Sequence, residues 1–301
     1  MLHAARVGQL ARTRGERGPG PVSQYTGRML PRAADARPPH PRLPLIVTTS
    51  DRVDTDLSTR ARLAAEDAGV PFVARHHKLP LKKLLAETAE ALVVFESEAV
   101  SLVDAEGVLR FSPGLGHLRI RQLDAGVPED MLLRVAGLRE GERVLDCTLG
   151  LGADAQVAAR LVGPSGAVTA LEKSPALYLL VRHGLEGLPR HPAACAIRVV
   201  HADASEHLRT LPTGAFDVVL FDPMFERQRK SSAAFEALRR HADYSPLTRE
   251  TVTEAQRVAR RAVVLKGSRY SQDFKKLGIQ PEPARPNATV LWAKLPGTAA
   301  S

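Results

Sequence analysis

Asp222-Pro223-Met224-Phe225 is the stretch of this 301-residue sequence whose residue types imply chemistry most directly. It follows the apolar run 216–221, so it reads as the loop at the carboxyl end of a buried strand. An exocyclic amine on an aromatic ring is a poor nucleophile because its lone pair is delocalised into the ring. An enzyme that alkylates it must hold both N–H groups and aim the nitrogen at the electrophile. Asp222 can accept one N–H and the Pro223 carbonyl the other. Pro223 has no amide hydrogen and a fixed φ, which holds that carbonyl outward, and Phe225 offers a face on which a planar base can stack. The chemistry expected is a direct in-line displacement without a covalent intermediate, for which Asp222 need only be ionised. A strand simply terminated by Asp-Pro is the plainer reading of the same residues.

A second candidate lies earlier, in Asp146-Cys147-Thr148-Leu149-Gly150-Leu151-Gly152-Ala153-Asp154. Gly150 and Gly152 remove side chains where a ligand must lie close to backbone, and the helix that follows offers free amide groups to polar ligand atoms. The run 150–155 also satisfies G-x-G-x-x-A, the dinucleotide fingerprint, with Glu172 about 20 residues on. The loop alone therefore leaves a nicotinamide cofactor and S-adenosylmethionine both open. Glu172 ends the next strand, where either cofactor presents ribose hydroxyls, although Ser174-Pro175 behind it also suits a helix N-terminal acid. Asp203, after a third strand, can accept a hydrogen bond from an adenine amino group or cap the helix that follows. His201 and His207 lack a partner pattern and read as structural.

Behind the tetrapeptide, Arg227, Arg229 and Lys230 form a basic loop at the mouth of the expected site. It can grip phosphates or be a solvated charge run. Lys266, before Gly267-Ser268-Arg269-Tyr270, extends the same rim in this reading. The basic stretch 257–261 reads as the solvated face of a helix.

These residues must be positioned by alternating elements. Strands are expected at 143–147, 167–171, 197–201, 216–221, 262–265 and 289–294, with helices between the first five, the signature of a doubly wound parallel sheet. Ligands of such sheets bind outside the carboxyl ends of the strands, where strand order reverses. Upstream, a strand at 45–49, a helix at 56–68, a short strand at 72–74, a helix at 81–87, a strand at 91–95 and a hairpin over 101–111 predict a small α/β unit. The expected organisation is a disordered extension over 1–42, a small α/β domain over 43–125 and a larger domain over 126–301, each domain with its own core.

Composition limits the alternatives. With 44% hydrophobic residues the chain can bury a core. No run approaches the roughly 18 to 20 apolar residues of a membrane span, and no signal-peptide core follows the N-terminal charges, so a cytoplasmic protein without membrane association is expected. Cys147 and Cys195 lack metal-ligand spacing, so no metal site is expected and both read as core thiols. The formal charge of +9 suggests a polyanionic partner, but eight Arg against Glu16 and Asp35 put +6 of it in residues 1–42 and leave +3 for the rest. That Arg-, Pro- and Gly-rich segment fits a disordered extension, a transit peptide or an overextended start with Met29 as the true one.

The motifs "LDCTLGLGADA", "LEKSP", "VHADA" and "FDPMF" with "RKSS" behind it resemble the class I S-adenosylmethionine-dependent methyltransferases. More narrowly they resemble the bacterial small-subunit ribosomal RNA guanine-N2 methyltransferase J family and its uncharacterised relatives, over about 127–294. The resemblance implies a seven-stranded, mostly parallel Rossmann-like sheet and S-adenosylmethionine as donor. It further implies a guanine N2 in 16S ribosomal RNA, free or in the small subunit, as acceptor. It places cofactor contacts at Ala153, Asp154, Glu172, Lys173, Asp203, Ala204 and Asp222, beside Asp146, Gly150 and Gly152, which are expected as cofactor-binding from the loop itself. The chain departs from the family at Ala153, where Arg is usual, at Asp203, where Ser is usual, and at Glu226, where Pro is common. Thr148 replaces the first glycine of the general methyltransferase loop. Methylation of adenine in DNA or of a protein glutamine, a nicotinamide dehydrogenase, and a non-catalytic RNA-binding assembly factor are the competing expectations.

Overall fold

A computed structural model describes residues 42–50, 54–76, 78–127, 130–223, 233–270 and 272–298. The expectation of a disordered segment therefore falls almost wholly outside the described residues, as do Phe225, Arg227, Arg229 and Lys230.

Two sheets form. The first takes β1 (Leu43–Thr49), β2 (Ala89–Phe95), β3 (Val100–Asp104) and β4 (Val108–Arg110) in that order. β1 pairs parallel with β2 through a crossover containing α1 (Thr55–Asp67) and α2 (Leu81–Thr88), while β2, β3 and β4 run antiparallel. The expected strand at 72–74 shrinks to a single bridge between Phe72 and Val47. The β3–β4 turn is closed by Asp104, whose carboxylate accepts the amides of Glu106 and Gly107 at 2.9 Å each.

The second sheet carries the expected alternation. α3 (Gly114–Asp124) and α4 (Met131–Ala136) lead into β5 (Arg143–Asp146), α5 (Ala153–Val162), β6 (Ala167–Glu172), α6 (Pro175–Glu186), β7 (Ile197–His201), α7 (Ala204–Thr210) and β8 (Phe216–Phe221). Then come α8 (Ala233–His241), α9 (Arg249–Val258), β9 (Ala259–Ser268), α10 (Asp273–Leu277) and β10 (Val290–Pro296). The order is β10-β9-β8-β5-β6-β7, parallel except for β10. Among the described residues the sheet has six strands rather than the seven that the family resemblance implied. Between β9 and β10 the chain spends its length on α10 and a segment holding Pro281, Pro283 and Pro286, each lacking the N–H that a ladder needs.

The basic stretch 257–261 is also corrected. α9 stops at Val258 and the buried run from Ala262 to Leu265 draws the chain into β9. Two of its arginines, Arg257 and Arg261, are staples, while Arg260 stays exposed as expected, 3.5 Å from Asp217. Arg257 donates to the carbonyls of Leu208 and Leu211 at 2.8 Å each, and Arg261 grips Glu142 at 2.8 Å and the Ala136 carbonyl at 2.7 Å.

The alternation of β1 and β2 decides how the sheets meet. Ile46, Leu92 and Val94 face α2 in a core of their own. Leu45, Val47, Ala91, Val93 and Phe95 face α1 and share a second core with Leu177, Tyr178, Leu179 and Leu180 of α6. The small sheet thus rests on a helix of the large one instead of enclosing a wholly separate core. Gly184 on α6 allows part of this closeness, because a Cβ there would lie 2.1 Å from Phe111 Cγ and 2.5 Å from its Cβ. Gly184→Ala should destabilise the protein by about 1–3 kcal/mol despite its gain in helix propensity, since neither overlap is with the free end of a flexible chain. Urea denaturation of the two proteins side by side measures the difference.

Candidate active site

Strand order reverses between β5, which continues to β6 and β7, and β8, which continues to β9 and β10. The loops after β5 and β8 therefore part above the sheet and leave a crevice. Thr148 bridges its floor: the amide of Asp222 donates to Thr148 Oγ1 at 2.6 Å, and the amide of Cys147 donates to Leu220 O at 2.9 Å. The side chain that replaces a family glycine thus fixes the start of the Asp222-Pro223 loop. Gly150, at φ +51°, and Gly152, at φ +77°, make the turn into α5 in a backbone region costly for other residues.

A cleft of about 410 Å³ opens above these loops. Gly150, Glu172, Lys173, Asp203, Ala204, Asp222 and Pro223 of the expected residues line it; Asp146, Gly152, Ala153 and Asp154 do not. Glu172 is buried at the end of β6, where one oxygen accepts the Gly150 amide at 3.1 Å and the other the Ser174 amide at 2.9 Å. Burial pushes its carboxyl up to about 7 despite those two donors. Asp203 caps α7, accepting the amides of Ser205 at 2.8 Å and Glu206 at 3.2 Å. Its other oxygen meets Lys173 Nζ at 3.1 Å. Lys173 also reaches Asp243 at 3.2 Å and donates to Ser245 Oγ at 2.9 Å, tying the 242–251 segment across the cleft.

Behind the cleft lies a chain of charges. Arg119 of α3 holds Asp130 at 2.7 and 3.0 Å and Asp154 at 2.7 Å. Asp154 in turn binds Lys266 Nζ, which reaches Asp222 Oδ2 at 2.8 Å. Lys266 is only 13% exposed, with its ammonium 4.9 Å from the Trp292 ring centre. It is therefore not the rim residue the sequence suggested: β9 runs parallel beside β8 and carries position 266 inward, against the loop that follows β8. Against the desolvation of burial, Lys266 and Arg119 hold Asp154 below the usual carboxylate range. For Asp222 the surrounding protein and the charge of Asp154 win, and its pKa is raised although Lys266 opposes them. Asp146 is fully buried; desolvation and the charge of Asp154 push it up to about 7, and its Oδ2 has no hydrogen-bond partner among the described residues.

The sequence reading did not foresee Thr148, the 242–251 wall or Arg119. Thr148 stood out only as a departure from a glycine pattern, and Asp243 and Ser245 carry no motif. Only the fold brings Arg119 and Asp154, 35 positions apart, into contact.

A doubly wound sheet with an acid after its second strand and an Asp-Pro loop at the reversal point defines a nucleotide-cofactor α/β domain of the methyltransferase type. Residues 74–280 match the family described as "Putative SAM-dependent methyltransferase". The chain belongs to this family of S-adenosylmethionine-dependent methyltransferases. It is 36% identical to "Uncharacterized protein YpiP" of Bacillus subtilis (strain 168), over 78% of this chain and 93% of that protein. To "Ribosomal RNA small subunit methyltransferase J" of Coxiella burnetii (strain RSA 331 / Henzerling II) it is 30% identical, over 74% of this chain and 89% of that one. A crystal structure of a SAM-dependent methyltransferase from Neisseria gonorrhoeae shares the fold, with TM-score 0.57 and 20% identity over 85% of this chain and 97% of that chain.

Proposed function

We propose that this methyltransferase acts on the exocyclic N2 amine of a guanine in 16S ribosomal RNA, with S-adenosylmethionine held in the cleft lined by Gly150, Glu172 and Asp203. The residues fit that donor. Each Glu172 oxygen accepts one backbone amide and keeps a further acceptor position for a ribose hydroxyl. Leu171, Leu177, Phe221 and Leu247 supply apolar wall for the adenine. Bound there, the donor supplies an electrophilic methyl group on a sulfonium sulfur. The glycine loop after β5 suits either cofactor, and membership of a family of S-adenosylmethionine-dependent methyltransferases favours that donor over the nicotinamide reading of residues 150–155.

The observation that carries the reading is the Asp222-Pro223 pair at the reversal point. Lys266 and the Thr148 hydroxyl fix one carboxylate oxygen and the backbone amide of Asp222. The Asp222 side chain is 40% exposed, and its Oδ1 is the oxygen that would accept an N–H of the acceptor amine. The Pro223 carbonyl takes the second N–H, which aims the nitrogen into the cleft. As the N–C bond forms and the methyl–sulfur bond breaks, which would leave the donor a neutral thioether, the amine gives up a proton that Asp222 Oδ1 would receive. Phe225 as a stacking face and Arg227, Arg229 and Lys230 as phosphate grips complete the proposal from the sequence. The relatives named for ribosomal RNA support the acceptor class. Incubation with labelled donor and undermodified small ribosomal subunits, followed by mapping of the labelled nucleotide, tests it. Label on a guanine N2 is the expected result, and label only on DNA adenine or on protein glutamine overturns it.

A further inference from the structure

We propose that Lys266 is a positioning residue for methyl transfer: anchored by Asp154, which Arg119 holds in turn, it fixes one oxygen of Asp222 and so orients that carboxylate for the acceptor amine. The inference rests on the reading of Asp222 as the group that grips the amine. It assigns Asp154 to the acceptor side of the site, in place of the cofactor contact implied by family resemblance.

An ammonium group has three N–H donors and no acceptor. Lys266 directs two of them at Asp154 and Asp222, and its charge lies over the Trp292 ring. Committed to these two carboxylates and only 13% exposed, the ammonium is poorly placed to follow a substrate itself and acts through Asp222. Asp154 is itself held by Nη1 of Arg119, whose Nε and Nη2 grip both oxygens of Asp130, the N-cap of α4. Two flexible side chains are thereby confined before any ligand arrives, which lowers the entropy lost when the amine is gripped.

The charges sharpen the point. Asp222 faces Lys266 of β9, Asp154 of α5, Asp146 of β5 and Arg119 of α3. Without Lys266, Asp222 would face Asp146 and Asp154 with only the more distant Arg119 in opposition. A carboxylate in that setting takes up a proton, and a protonated Asp222 donates where it has to accept.

Lys266→Met tests this in the whole protein. In the ligand-free state the Asp222 carboxyl, followed by carbon-13 NMR and assigned with Asp222→Asn, should titrate about one to two pH units higher than in the wild type. The affinity for S-adenosylmethionine should stay within about threefold, kcat at neutral pH should fall on the order of 10²-fold, and the acidic limb of the kcat profile should move up with the carboxyl. Lys266→Arg, which keeps the charge, should leave the limb near its wild-type position. Lys266→Met/Asp154→Asn removes one charge of each sign and carries the same titration if the single variant does not fold. An Asp222 carboxyl that moves by less than about half a unit, or an unmoved acidic limb, overturns the inference. A shifted carboxyl in a protein whose wild type transfers no methyl to ribosomal RNA leaves the positioning role standing and removes only the proposed acceptor.

Discussion

Asp222→Asn should lower kcat for methyl transfer by on the order of 10²–10³-fold while changing the affinity for S-adenosylmethionine by no more than a few fold. Asparagine keeps the shape and one carbonyl oxygen, so the cleft and the Thr148 contact to the backbone amide survive. It loses the charge that strengthens a hydrogen bond from the amine, and it cannot take the proton released when the N–C bond forms. Its amide group can also turn an N–H toward the acceptor, replacing an attraction by a repulsion. The effect belongs in kcat because Asp222 contributes most once the amine begins to carry positive charge. Single-turnover transfer of labelled methyl, with donor affinity measured separately by calorimetry, separates the two quantities. Equal losses in donor affinity and in turnover would place Asp222 on the cofactor and leave the amine without its grip.

The parts of this site that could be read from the sequence are those written in consecutive residues. Gly150 and Gly152 mark a turn because few other residues tolerate their φ. Glu172 and Asp222 stand at the ends of apolar runs, and in a parallel sheet that position faces the ligand. Asp203 could be read equally well as a helix cap, and the cap is made. What stayed hidden depends on which strands lie side by side. Lys266 looked like a rim cation because it follows a strand and precedes a glycine. Only the pairing of β9 with β8, and of Trp292 with Lys266 across β10, turns it inward. The family resemblance implied a cofactor contact at Asp154, and α5 instead aims it at Arg119 and Lys266. The seventh strand was an import from the family, and three prolines in the stretch that would have to supply it were already visible in the sequence.

Affinity for S-adenosylmethionine should weaken about tenfold for each pH unit below 7 and level off above it, and Glu172→Gln should abolish that slope. Glu172 lies buried in the cleft, and desolvation raises its carboxyl to about 7, so near neutrality the free protein holds it in both forms. Two consequences of opposite sign follow. Because the folded pKa lies above the ordinary 4.5, the folded state binds the proton more tightly than the unfolded chain. Its contribution to stability is thus full below 4.5 and is lost as pH rises through 7. Ligand binding runs the other way. Ribose hydroxyls donate to the ionised carboxylate, so binding lowers the pKa and releases a proton, and affinity rises with pH until the free group is already ionised. Glutamine still offers one acceptor oxygen but no charge, and loss of a charge-assisted hydrogen bond worth roughly 1.5–3 kcal/mol corresponds to a Kd about 10- to 100-fold higher above pH 7. Calorimetry between pH 6 and 8 in two buffers of different ionisation enthalpy reads both the affinity and the proton released. Asp146 is the rival, since it too is pushed up to about 7. It does not line the cleft, however, so Asp146→Asn should leave the slope in place. A slope that persists in Glu172→Gln and vanishes in Asp146→Asn would transfer the linkage to the buried charge cluster and take Glu172 off the ribose.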